Sequence, residues 1–344
     1  MYSFKIFPLE SYQIEEKIKN FESINKNLFY QIEWLNSLNQ NQNKVKDYFY
    51  VEIFQQKKFI MVLFFQLENK FNLKMLTWLF MNEINFIIPF MINEYKDIQK
   101  DDFVNILNQI FDHFKVDLVF LNKNPILINK ETNPISFYKK FSIEKIPIIN
   151  LSGIDWREFY ETKCNAKTRQ TDRRKEKLLS QRGDLEFIIA EKAKDREEIF
   201  NFTLKNKMLF LKKRGHNPKE FEKIYSKLFN QIKNNSKYIC SMLKIENQII
   251  SSIIGILDNN CFYYLIPCTS ENEFLKYSPG RILLKKQIKW CIKNDIKKID
   301  LGPGEFEYKK QWSNDFDENF SILEPKSFLG NIYFLLYKLK KSFL

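Results

Sequence analysis

No glycine occurs before Gly153, and all eight of the chain's glycines lie at or beyond that position. A loop whose backbone approaches a phosphate closely relies on glycine. The first 152 residues are therefore poor ground for a phosphate-cradling turn and are expected to build one wall of a cleft. Histidine is also scarce, with His113 and His216 the only two. The five cysteines, Cys164, Cys240, Cys261, Cys268 and Cys291, form no CxxC pair and leave one over in any pairing. That argues against a zinc centre or a disulfide framework, and free thiols suit a reducing cytoplasm. The longest apolar run, Phe59 to Phe65, falls far short of the ~20 residues that cross a bilayer. The start, Met1-Tyr2-Ser3-Phe4-Lys5, lacks the charged-then-apolar run of a signal peptide.

Phe (34 residues), Ile, Asn and Lys are used heavily, a mixture that an AT-rich coding bias produces, and the net charge is +13. A basic surface attracts nucleic acid, anionic lipid or a phosphorylated cofactor. The coding bias already favours lysine, so nucleic acid is not the expected partner. Hydrophobic residues make up 44% of the chain, enough for packed cores. A length of 344 residues suits two domains of roughly 150 residues each.

The second half carries the clearer pattern. A charged helix is predicted from Trp156 to Gln181, stopped at Arg182-Gly183. A strand over Leu185–Ile189 follows, then helices over Asp195–Lys213 and Pro218–Lys233. Three strands come next, Tyr238–Ile245, Gln248–Leu257 and Cys261–Pro267, separated by turn sequences and so an antiparallel meander. A Lys-faced helix starts near Pro279 and ends at Asn294, a residue suited to the left-handed C-terminal position. The strand Lys298–Leu301 closes the series. The first half repeats the order loosely, with strands at Tyr48–Phe54, Phe59–Leu67 and Leu73–Leu79, a helix over Asp101–Phe114 and a strand Asp117–Leu121. The expected fold class is α/β (α+β) in two copies of one plan. A degenerate domain spans 1–150, a working domain 151–325, and an amphipathic helix 326–344.

Two stretches concentrate the chemistry. In Lys276-Tyr277-Ser278-Pro279-Gly280-Arg281, Pro279 presets the helical backbone, Ser278 is placed to cap it, and Gly280 keeps the first turn bare. The exposed N–H groups and the helix dipole then offer an anion site, with charge added by Lys276 and Arg281. An ordinary helix N-terminus would read the same way. The second stretch runs from Asp300 through Gly302-Pro303-Gly304-Glu305 to Tyr308, Lys309 and Trp312. Its glycines lie at a strand end, where ligands sit in open α/β sheets. A tight loop with a solvated charged turn is the alternative.

Taken together at this spacing, and preceded by Arg169, Arg173-Arg174, Leu178-Leu179 and Gly183, the two stretches resemble the acyltransferases typified by cellulose-biosynthesis accessory proteins. Those belong to the GNAT superfamily and are similar to Fem-type peptidoglycan aminoacyltransferases. The likeness covers about residues 155–315, and it reaches the first half only loosely through Trp34, Asp117 and Asn124-Pro125. Where the family often has an acidic residue, this chain has Asn85. The resemblance implies a GNAT fold and acyl-CoA as co-substrate, without metal, its pyrophosphate at residues 276–281. It also implies transfer to an amine or hydroxyl acceptor in cell-envelope or polysaccharide metabolism. The family's usual Q/R-x-x-G-x-G/A loop is reduced here to Lys276-Tyr277-Ser278-Pro279-Gly280.

The implied chemistry is direct attack on a thioester, with most of the rate coming from positioning. Glu305 and Asp300 are the carboxylates available as general base, and Tyr308 or Tyr277 can protonate the leaving thiolate. A backbone N–H of the strand Cys261–Pro267 can stabilise the oxyanion. Tyr264 on that strand, Lys309 and Trp312 are the expected substrate contacts. Arg169 and Arg173 either face an anionic acceptor or belong to a solvated helix face. Cys268 lies near the proposed thioester or serves as a small apolar filler, and His216 reads as a loop residue. Phe328, Ile332, Leu335, Leu336, Leu339 and Phe343 recur at helical spacing beside Lys338, Lys340 and Lys341. Such a helix lies on a membrane, on its own domain or on a partner. An aminoacyl-tRNA-dependent transferase and a catalytically silent scaffold are the competing functions.

Overall fold

The computed structural model describes residues 2–9, 47–70, 72–79, 90–91, 98–128, 131–215, 217–219, 221–222, 225–226, 229, 235–304 and 306–342. Trp34, Asn85, His216, Glu305, Phe343 and most of the helix expected over Pro218–Lys233 lie outside them. The chain divides into two units, Met1–Lys145 with Asp317–Leu344, and Ile146–Phe316.

In the first unit β1 (Tyr2–Pro8), β2 (Asp47–Gln55), β3 (Lys58–Lys70) and β4 (Leu73–Trp78) pair antiparallel in sequence order. The short β5 (Phe90–Met91) pairs with β3. Helix α1 (Lys100–His113) buries Phe103, Ile106, Leu107, Ile110 and Phe111, and β6 (Leu118–Pro125) then lies parallel to β4. A small hairpin of β7 (Leu127–Ile128) and β8 (Glu131–Thr132) follows, and β9 (Ser142–Asn150) carries the chain into the second unit.

The second unit continues with α2 (Trp156–Lys163), α3 (Ala166–Ser180), β10 (Leu185–Ile189) and α4 (Ala193–Lys213). The meander β11 (Tyr238–Ile245), β12 (Gln248–Asp258) and β13 (Cys261–Thr269) pairs antiparallel, with β10 on the outer side of β11. Helix α5 (Pro279–Lys293) leads to β14 (Lys298–Asp300), which is parallel to β13 and antiparallel to β9, and α6 (Glu307–Trp312) follows. The chain returns to the first unit as β15 (Asp315–Pro325), antiparallel to β6, and α7 (Phe328–Ser342).

Each unit therefore has four antiparallel strands, a helix, a strand parallel to the fourth, and a strand antiparallel to that one, which is β15 at the end of the chain in the first unit and β9 at the start of the second. Gln56 and Lys57 between β2 and β3, and Asn259 and Asn260 between β12 and β13, adopt the paired positive φ of a two-residue hairpin, whereas between β11 and β12 Glu246 has φ 51. In the second unit Ile250, Ile253, Phe262, Leu283, Ile288 and Cys291 form the centre of one buried cluster with Phe159 and Trp312.

Three features differ from the sequence reading. The helix predicted from Trp156 to Gln181 is broken at Cys164, which is extended, because Asn165 starts a new helix by accepting the Thr168 N–H (2.8 Å). Asp295, not Asn294, takes the left-handed position after α5. The closing strand β15 was not predicted and belongs to the first unit rather than to a 151–325 domain, and α7, expected as a separate segment 326–344, belongs to that unit too. The physical reason is that β15 pairs with β6, while Tyr333, Phe334 and Tyr337 of α7 pack on Leu73, Met75, Leu118 and Leu323.

Candidate active site

The site begins where two parallel strands part. β14 matches β13 only from Cys261 to Tyr263, and β13 runs on to Thr269 paired with β12 on its other side. Close to the parting, Ile254 faces Ile266 while Gly255 faces Tyr264, so Leu265 is the extra residue of a bulge. Bulges re-aim side chains and end pairing. A cavity of about 480 Å³ opens here, lined by Lys207 and Phe210 of α4, Ser251, Tyr264, Cys268, Thr269, the start of α5 (Ser278, Gly280, Arg281), and Tyr308, Gln311 and Trp312 of α6.

The start of α5 differs from the simple capped helix. Ser278 is left-handed (φ 58, ψ 55) and makes no side-chain cap, contrary to the expectation. Its Oγ instead accepts a bond from Lys175 Nζ (2.8 Å), across from α3. Pro279 has no N–H, and those of Arg281 and Ile282 bond back to the Ser278 carbonyl (3.0 and 3.2 Å). The Gly280 N–H remains, and a Cβ at that residue would stand 2.8 Å from Thr269 Oγ1. Lys175 thus places a cation at the positive end of a helix dipole, an unfavourable pairing that a bound anion would relieve. Lys276 is exposed, with Nζ 5.2 Å from the centre of the Tyr277 ring, and Tyr277 itself is part of the buried core.

Arg281 is held inside the protein. It donates from Nε to Asp172 Oδ1 (2.7 Å) and from Nη2 to Asp172 Oδ2 (3.1 Å), and from Nη1 to Gln311 (3.1 Å). Its guanidinium lies 4.8 Å from the centre of the Trp312 ring. Asp172 also accepts the Tyr160 hydroxyl (2.8 Å), and one turn on, Glu176 pairs with Lys285 and with Lys286 (2.8 Å). These bonds register α3 against α5, so Arg281 braces the helix start rather than offering free charge to a ligand.

On the opposite wall the Tyr264 and Tyr308 hydroxyls share a hydrogen bond. Burial pushes the Tyr308 hydroxyl up to about 12, the bond from Tyr264 offsetting part of that rise, and Tyr264 is driven up by burial and by Tyr308. Both phenols therefore keep their protons at neutral pH. Trp312, 1% exposed, stacks with Phe159 and Tyr160, and its Nε1 has no hydrogen-bond partner among the described residues.

The remaining sequence candidates fall elsewhere. Asp300 is buried beside Cys261 and Tyr263 and accepts the Gly302 N–H (2.7 Å), where Gly302 adopts φ +73. Asp300 thus holds the loop and does not line the cavity. Lys309 is buried too, donating to the Gly302 and Pro303 carbonyls (3.1 and 2.6 Å). Arg169 donates to the carbonyl of Cys164 (2.7 Å) and closes the α2–α3 corner, while Arg173 is exposed. Burial lifts the Cys268 thiol to about 11, so it is not a thiolate at neutral pH.

Sequence reading missed Lys175, Lys207 and Asp172. All three sit in helices crowded with like residues, and only the packing singles them out. Burial lowers the pKa of Lys207 below the ordinary lysine value, with the Cys268 thiol as its ionisable neighbour. The cavity's other charged side chains are already engaged, Glu271 with Lys213 and Arg281 with Asp172.

Comparison with known proteins bears on the fold. Residues 166–310 match the family model described as an acetyltransferase (GNAT) domain. The solved structure of FemX shares the fold with a TM-score of 0.52 at 12% identity, over 92% of this chain and 96% of that one. A conserved protein of unknown function from Bacteroides thetaiotaomicron gives 0.55 at 10% identity, over 95% and 100%. The C-terminal domain of a putative lysylphosphatidylglycerol synthetase from Agrobacterium fabrum gives 0.52 at 9%, over 91% of both chains. A search of curated protein sequences found no match. Residues 166–310 thus carry a GNAT-type acetyltransferase domain. The chain's mixed α/β architecture is the GNAT fold, with the acetyltransferase domain in the second unit.

Proposed function

We propose that the protein transfers an acyl group from acyl-CoA to an amine, with a hydroxyl as the alternative nucleophile. The observation that carries this reading is the parting of β13 from β14 beside an anion-ready helix start, with a protonated Tyr308 in the same cavity. The donor's pyrophosphate is assigned to the Gly280 N–H and Lys175. The thioester then lies along the stretch of β13 beyond Tyr263, whose N–H groups are oxyanion donors. The acceptor enters from α4, past Lys207 and Phe210.

The nucleophile's lone pair adds to the carbonyl carbon, the C–S bond breaks, and the departing thiolate takes the Tyr308 proton. Lys207 is the group we assign to receive the nucleophile's proton, since burial favours its neutral form. That proton restores Tyr308 as products leave. By its likeness to cellulose-biosynthesis accessory acyltransferases, we place the reaction in cell-envelope or polysaccharide metabolism.

A second reading replaces acyl-CoA with aminoacyl-tRNA. It is favoured by the α5 start, which offers the Gly280 N–H in place of a glycine-rich loop, and by the fold shared along the chain with FemX. Calorimetric titration with acetyl-CoA and longer acyl-CoAs, on wild type and Gly280→Trp, separates the two. Saturable binding lost in the variant supports the first. Folded protein that binds no acyl-CoA but binds charged tRNA with a steep salt dependence supports the second.

A further inference from the structure

Helix α7 holds an apolar face away from its own unit. Phe328 (80% exposed), Leu329, Ile332, Leu335, Leu336 (61%) and Leu339 all stand out to solvent. At about 100° per residue they fall within an arc of roughly 120°. The packed residues Tyr333, Phe334 and Tyr337 lie around the opposite side of the helix. Lys340 falls about 20° beyond one border of the apolar arc and Lys338 about 60° beyond the other, past Asn331, and both lysines are exposed. The helix contains no acidic residue.

The orientation is fixed by the anchoring of the helix. Ser327 Oγ donates to Asp117 Oδ1 (2.6 Å) and accepts the Gly330 N–H (3.1 Å), capping the first turn. Lys326 pairs with Asp112 (3.0 Å), and its N–H bonds to the Asp117 carbonyl (2.8 Å). A Cβ at Gly330 would stand 1.9 Å from that carbonyl, so the helix backbone is seated directly on the loop before β6. With its tyrosine side clamped, the leucine side is held outward.

We propose that this face of α7 lies on an anionic lipid surface. An apolar stripe flanked by lysines on both sides suits a helix lying in the interface plane, where leucines enter the acyl boundary and ammonium groups reach the phosphates. A second copy of the chain fits less well. A two-fold pairing of these stripes would bring the flanking lysines of both helices together with no acidic residue on α7 to meet them. The net charge of +13 draws the protein to the same kind of surface.

The test is co-sedimentation of the full chain with phosphatidylcholine vesicles, with and without phosphatidylglycerol. Light scattering runs in parallel to give the oligomeric state. Wild type is expected to bind the anionic vesicles and to weaken with salt. Leu335→Glu with Leu336→Glu is expected to lower binding by at least about tenfold, and Lys338→Gln with Lys340→Gln to remove the preference for anionic lipid. These positions are exposed, and unchanged circular dichroism melting would show that the variants fold. Wild type that ignores both vesicle types overturns the proposal, as does binding that both double variants leave intact. A dimer broken by the leucine variant, without vesicle binding, overturns it in favour of a second copy.

Discussion

Arg281 grips Asp172 through two parallel bonds, Nε to Oδ1 at 2.7 Å and Nη2 to Oδ2 at 3.1 Å. The pair is largely withdrawn from water, with side-chain exposures of 21% and 6%. Removing one partner of a buried pair leaves the other charge uncompensated, which typically costs about 3 kcal/mol or more. Asp172→Asn should therefore lower the urea midpoint substantially. Arg281→Lys should do nearly as much harm, because an ammonium cannot reproduce the planar fork. An unchanged midpoint in both variants would show that the pair is not a brace.

Tyr308→Phe should reduce kcat by about a hundredfold and leave the KM for the acyl donor nearly unchanged, as expected for loss of a general acid. Because burial holds Tyr308 up to about 12, wild type should show no alkaline loss of activity from this group across the range where enzymes are normally assayed. Steady-state kinetics against pH checks both points. A variant that keeps full kcat would send the proton-donor role elsewhere.

Lys175→Ala should weaken acyl-CoA binding by about tenfold, equivalent to about 1.4 kcal/mol. Lys175→Glu should weaken it further, and salt should lower the wild-type affinity. Calorimetry measures each value. Equal affinity in all three proteins would take the anion away from the α5 start.

Lys207→Met separates stability from function. The folded-state pKa of Lys207 lies below its ordinary value of 10.5 because of burial. Between those two values the unfolded chain binds more protons, so wild-type stability rises with pH across that window. Below it the full penalty of the buried ammonium is present. The variant should thus melt higher than wild type at neutral pH, the gap should shrink as pH approaches 10.5, and turnover should fall. A gap independent of pH would mean that Lys207 carries no such penalty.

Much of the fold was legible because its signals are local. Turn sequences at Glu246-Asn247 and Asp258-Asn259-Asn260, with strand runs between them, were enough for the meander of β11 to β13. β15 was hidden, since Asp315, Asp317, Glu318 and Asn319 depress strand propensity and its partner β6 is remote in sequence. In the site, Gly280 and Tyr308 could be picked out by motif and both line the cavity. Asp300 and Lys309 looked equally chemical, yet their partners are carbonyl and N–H groups of the neighbouring loop. Composition cannot separate a charge that serves a ligand from one that serves the backbone. Only Lys175's contact with Ser278 across two helices raised it above its many lysine neighbours.

The order of elements also bears on how the chain is made. Asn124 of β6 bonds through Nδ2 to the Phe320 carbonyl of β15 (3.0 Å), a partner 196 residues further along. At ribosomal speeds of about 5–20 residues per second, β6 waits roughly 10–40 s for it. During that wait the whole of Ile146–Phe316 has emerged. The acetyltransferase unit is thus synthesised complete while the first unit still has an unpaired edge, and the last strand and α7 together close the half of the protein that began first.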